Sequence, residues 1–173
     1  MKSTTSLPSA PSKILAATRV PSTFEAYRGA TFWVIGHRVT ILVEEKDYTY
    51  VEIVSPPHLP GPPPHRHADA SELFHVLEGK YDVLVEGQTL RLGPGDSVLV
   101  PRNGVHSFQN AGRTDARMIS VFSPGGFAQF YRDMGFPVEL PNAFELSVQP
   151  TAIERVVREC GRYEMFLATE KLS

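Results

Sequence analysis

The chain of 173 residues has one cysteine, one tryptophan and no long run of basic residues. A lone Cys160 excludes an internal disulfide and fits a reducing compartment, so a cytoplasmic location is expected. A formal net charge of -2, with its charges dispersed, gives no footing for nucleic acid. No apolar stretch is long enough for a transmembrane span, so no membrane partner is expected. The only apolar candidate near the start, Ile14 to Ala17, is too short for the core of a signal peptide. Charged residues make up 21% of the chain, which excludes a disordered or coiled-coil class.

What is present suits a single domain with a real core. Hydrophobic residues reach 42%, and 13 glycines with 15 prolines punctuate the chain as short strands and turns require. Residues 1–23, rich in Ser, Thr, Pro and Ala, read as a flexible arm, or one ordered only by a partner chain. Residues 24–125 read as a β-domain. Thr31–Ile35 and Arg38–Glu44 are β-branched and aromatic, with Gly36-His37 as the expected turn and His37 solvated there. Tyr48–Val54 alternates, with Thr49, Val51 and Ile53 on one face. Tyr81–Val85 and Gln88–Leu92 form a hairpin around Glu86-Gly87. Ser97–Val100, Ser107–Asn110 and Ala116–Phe122 follow, giving nine or ten short strands at the spacing of an all-β barrel or sandwich. Residues 126–173 read as a helical extension packed on the barrel. Phe127–Met134 is its first helix, and Phe127, Phe130 and Tyr131 either pack over the barrel end or line a pocket mouth. After a linker from Pro141 to Pro150, Thr151 and Glu154 form a capping box. Ile153, Val156, Val157 and Cys160 then make an apolar stripe, with Cys160 a packed core residue.

Two segments carry chemistry. Gly61 to Gly79 reads GPPPHRHADASELFHVLEG, and His65 and His67, two apart, share one face if the run is extended. Glu72 has the wrong parity for the same strand, so the insert Ala68 to Ser71 must turn or bulge to return its carboxylate to the histidines. Gly95 to Asn110, GDSVLVPRNGVHSFQN, supplies His106 from another strand. Three imidazoles and one carboxylate suit Fe, Ni, Zn, Cu or Mn. His-x-His alone can be two solvated histidines in a Pro-rich loop; Glu72 and His106 in register favour a metal. By parity, Phe74 and Val76 share the face of Glu72, and Phe108 that of His106, so these three are expected in the pocket wall. His75 points away, Glu78 faces solvent and His58 is a solvated loop residue.

These segments resemble the paired motifs of the cupin superfamily. His65, His67, Glu72 and Gly79 match every spacing of the first motif, and Gly95, Pro101, His106 and Asn110 match the second. Two departures stand: three rather than five residues separate the opening Gly61 from His65, and Asn103 replaces a turn glycine, a position Asn tolerates. The resemblance implies an all-β fold, a cupin-type antiparallel β-barrel (double-stranded β-helix, or jelly roll) with short C-terminal helices. It also implies one divalent first-row metal (Fe, Ni, Mn, Co or Zn) held by His65, His67, Glu72 and His106. Over residues 30–136 the chain is most similar to single-domain quercetinase-like members, of which the enzymes cleave flavonols with dioxygen. That implies a dioxygenase acting on an enolisable or phenolic small molecule, with Glu72 as the general base that takes the substrate's hydroxyl proton. A non-oxidative cyclase, isomerase or lyase and a non-catalytic small-molecule binder are the alternatives. Barrels of this kind commonly pair, so a homodimer is expected.

Overall fold

The computed structural model describes residues 29–168; the expected arm at 1–23 lies outside the described residues, as do 24–28 and 169–173. Within them the strands are β1 (Thr31–Val34), β2 (His37–Glu44), β3 (Thr49–Ser55), β4 (His65–His67), β5 (Ser71–Glu78) and β6 (Tyr81–Val85). They continue as β7 (Gln88–Leu92), β8 (Ser97–Val100), β9 (His106–Asn110), β10 (Ala116–Ser123), β11 (Phe136–Pro137) and β12 (Met165–Leu167). The helices are α1 (Ala128–Met134), α2 (Ala143–Ser147) and α3 (Pro150–Glu159), the last running into a 3-10 turn at Cys160–Tyr163. One sheet has the order β11-β1-β2-β3-β10-β5-β8 and the other β12-β4-β9-β6-β7. Every pairing is antiparallel, and the all-β jelly-roll class expected from the sequence is the one found.

The core forms where the period-2 faces of the strands meet. Thr49, Val51 and Ile53 of β3 are buried, as are Glu72, Phe74 and Val76 of β5 and Met118, Ser120 and Phe122 of β10. The hairpin β6–β7 turns where expected, with Glu86 at φ 48° and Gly87 at φ 80°, the left-handed pair a two-residue turn needs. Asn103 takes φ 62°, as its place in the loop before β9 requires. At Gly61 the Pro-rich loop passes so close to β9 that a Cβ would lie 1.5 Å from the Phe108 carbonyl oxygen, so only glycine fits.

Several local expectations are corrected. The first hairpin turns at Ile35-Gly36 (φ 43° and 84°), which moves His37 into β2, where it is buried rather than solvated. The segment expected to be a linker contains α2. Helix α3 begins at Pro150 after Gln149, with no side-chain cap, because proline at the first helical position needs no N–H partner. Thr151 is therefore inside the helix and the capping box does not form. The buried stripe runs through Ala152, Val156 and Cys160 at intervals of four, leaving Ile153 exposed. The segment after Ser123 is not wholly helical: β11 adds to β1, and β12 pairs with β4 in the register Met165–His67 and Leu167–His65.

Candidate metal centre

Strand β4 belongs to one sheet and β5 to the other, so the bend at Ala68–Asp69 carries the chain across the gap between sheets. His65 and His67 reach into that gap from one side, and Glu72 from the other. His106 lies directly opposite His65 in the β4–β9 pair. One ligand atom from each of the four residues falls within 4.8 Å of all the others, and all four side chains are buried.

The surrounding groups fix which atoms face inward. The His65 Nδ1–H donates to the Pro63 carbonyl at 2.9 Å, and the His106 Nδ1–H donates to the Gly104 carbonyl at 2.9 Å. A carbonyl only accepts, so both imidazoles carry a proton on Nδ1 and turn Nε2 to the centre. The Ser120 hydroxyl donates to Glu72 Oε1 at 2.6 Å, leaving Oε2 to face His106 Nε2 at 2.9 Å and His67 Nε2 at 3.3 Å. Neither ring nitrogen of His67 makes a hydrogen bond, although both are buried.

This donor set is short of positive charge. Burial, then the neighbouring His106 and His67, together lower His65 to about 3 against the pull of the Glu72 carboxylate. Burial works to raise the Glu72 carboxyl, but the His106 and His67 imidazoles facing it outweigh burial and hold the group below the usual carboxylate range. At His106 burial lowers and the Glu72 carboxylate raises proton affinity, and the carboxylate wins. The buried His67 Nε2 makes no hydrogen bond, and a divalent cation held by the cluster would give it a partner. The residues fit a metal ion, with thiolate absent from the cluster and nitrogen the majority donor.

A cavity opens beside the cluster. His65, His67 and Glu72 form part of its wall, together with Phe108, Phe122, Phe127, Tyr131 and His37. Phe108 lines the cavity. Phe74 and Val76 are instead wholly buried in the packed layer, Phe74 against the rings of His106 (5.9 Å) and Phe108 (5.6 Å), and neither lines the cavity. Helix α1 covers the site: Phe127 meets His67 edge-on at 4.7 Å and stacks on Phe122 at 4.3 Å. Both sequence alternatives for α1 hold at once, since Phe127, Phe130 and Tyr131 are packed and line the cavity. Burial, then the Glu72 charge, keeps the Tyr131 phenol protonated.

Sequence reasoning missed Ser120 and His37. Ser120 was detectable as a lone polar residue at an inward parity of an apolar strand, between Met118 and Phe122. His58 is exposed, Glu78 is exposed and pairs with Arg117, and the outward His75 hydrogen-bonds Ser97 at 2.8 Å, as their positions suggested.

Two packed antiparallel sheets with a buried three-histidine, one-glutamate cluster between them define a jelly-roll barrel able to bind a metal. Residues 51–122 match the cupin domain family, a match that together with the fold supports a cupin superfamily protein. It is 35% identical over 97 residues to a quercetin 2,3-dioxygenase of Bacillus subtilis (strain 168), a match covering 54% of this chain and 27% of that protein. The chain thus spans about a quarter of that relative's length. Among solved structures, KdgF from Halomonas sp. shares 26% identity at a TM-score of 0.51, covering 54% of this chain and 85% of that one. An RmlC-like cupin from Shewanella frigidimarina also shares 26% at a TM-score of 0.51, covering 60% and 89%. No helix among the described residues is long and apolar enough to cross a membrane.

Proposed function

We propose that the protein is a metal-dependent dioxygenase acting on an enolisable or phenolic, flavonol-like small molecule. The observation that carries this reading is Glu72, a buried carboxylate anchored through one oxygen by Ser120 and open through the other at an apolar, aromatic-walled cavity. The 35% identity over 97 residues with a quercetin 2,3-dioxygenase supports it. His65, His67, Glu72 and His106 would hold the metal, and Phe108, Phe122 and Phe127 would bracket a flat ring. A divalent metal bound there would act as a Lewis acid that lowers the pKa of a substrate hydroxyl.

Glu72 takes that hydroxyl's proton on Oε2. Tyr131 keeps its proton and is placed to donate to a substrate oxygen, while α1 and the apolar wall restrict water. The test is oxygen uptake by protein loaded separately with Fe, Ni, Mn or Co and supplied with flavonols and diketones. Stoichiometric oxygen consumption with substrate loss is expected. Substrate loss without oxygen uptake would replace this reading with a non-oxidative enzyme, and tight binding without turnover with a binder.

A further inference from the structure

His37 is the one cavity-lining histidine that takes no part in the metal cluster. It is 3% exposed. Its Nδ1 is engaged with the Ser55 hydroxyl at 2.9 Å. That hydroxyl is itself held by Tyr81, whose Oη lies 3.1 Å from Ser55 Oγ and donates to the Ala116 carbonyl at 2.8 Å. The Pro60 carbonyl lies near the ring and weakly opposes the effect of burial, but His37 Nε2 makes no hydrogen bond. An apolar side chain would fill this place among Val34, Val39, Ile53 and Phe108 without leaving a buried polar atom orphaned, which is destabilising. The Phe108 ring meets His37 edge-on at 5.3 Å and separates it from the cluster, touching Phe74, which in turn touches His106.

The cavity wall is therefore mostly apolar and polar at the carboxylate-histidine cluster, at the Tyr131 phenol, and at an imidazole locked in orientation by Ser55 and Tyr81. We propose that His37 is a second recognition point, whose Nε2 hydrogen-bonds a hydroxyl on the end of the ligand remote from the metal cluster. A hydroxyl fits because it both donates and accepts, and so pairs with Nε2 in either tautomer. The ligand class narrows accordingly to flat, mostly apolar molecules with oxygen functions at both ends. This rests on the proposed function for its metal-bound end.

The test is a pair of flavonols on zinc-loaded protein, where the redox-inert metal prevents turnover: 3-hydroxyflavone and 3,4′-dihydroxyflavone, with affinity read by ligand fluorescence. The unmodified protein should prefer the dihydroxy compound by about 3- to 10-fold, the range of one neutral hydrogen bond. His37→Asn keeps an amide at the Nδ1 position for Ser55 but removes the Nε2 end, so the preference should fall to near unity. His37→Gln, whose amide reaches the Nε2 position, should restore part of it. A role confined to holding Ser55 would leave the preference intact in His37→Asn, and that result overturns the proposal. So does an unmodified protein that binds both compounds equally, whatever the variants do. If neither flavonol binds the zinc-loaded protein, the flavonol reading itself fails and takes this one with it.

Discussion

Lowering the pH from 7.5 to 5.0 is expected to weaken the fold through His37 by about 2 kcal/mol. The imidazole is pushed down to about 4 by burial, against an ordinary value of 6.5. Above pH 6.5 the ring is neutral whether the chain is folded or not, and its titration contributes nothing. Between 6.5 and about 4 the unfolded chain takes up a proton that the folded chain refuses, so stability falls with pH across that window. The difference between 6.5 and about 4, at roughly 1.36 kcal/mol per unit, approaches about 3 kcal/mol below pH 4. At pH 5.0 most of this has appeared and acid unfolding from carboxylates has not yet taken over. Urea titrations of the protein and of His37→Gln at the two pH values isolate the effect, since the buried metal ligands contribute to both proteins alike. The gap between the two should shift by about 2 kcal/mol against the unmodified protein on going to pH 5.0. An unchanged gap would mean that water or a conformational change admits the charged ring, and that His37 is not the buried neutral group described.

Glu72→Gln keeps the shape but loses the basicity, so turnover per bound metal should fall about 10²–10⁴-fold while metal content falls less; unchanged turnover per metal would leave Glu72 a ligand only. Ser120→Ala removes the 2.6 Å bond to Glu72 Oε1 and should lower stability by about 1–3 kcal/mol in chemical denaturation; no change would show that water replaces the hydroxyl. The exposed apolar residues Val43 on β2 and Tyr48 just before β3, where an isologous contact would bury them, favour a homodimer. Light scattering that gives the 19.2 kDa monomer mass at high micromolar concentration would refute it.

The barrel was legible because its information is local. Alternation in Tyr48–Val54 and the Glu86-Gly87 turn each depend on neighbours in the chain, and His65, His67, Glu72 and His106 sit at recognisable spacings. Residues defined by cross-strand register were harder. Ser120 reaches Glu72 only because β10 pairs with β5, a register the sequence does not display. His37 changed from solvated to buried on a shift of one residue in the turn, since parity inverts with each step. Phe74 and Val76 show the limit of parity, which places a side chain on the inner face but not in the cavity. Thr151 was outcompeted by Pro150, which supplies a helix start without a side-chain hydrogen bond.

The most direct test of the centre is elemental analysis of the purified protein beside His67→Ala. One equivalent of a first-row divalent metal per chain is expected in the unmodified protein. The variant should hold far less while keeping its far-UV circular dichroism, because only a ligand has been removed. Full occupancy in His67→Ala, or an unmodified protein that takes up no metal from any of the Fe, Ni, Mn, Co or Zn salts, would contradict a metal site at His65, His67, Glu72 and His106.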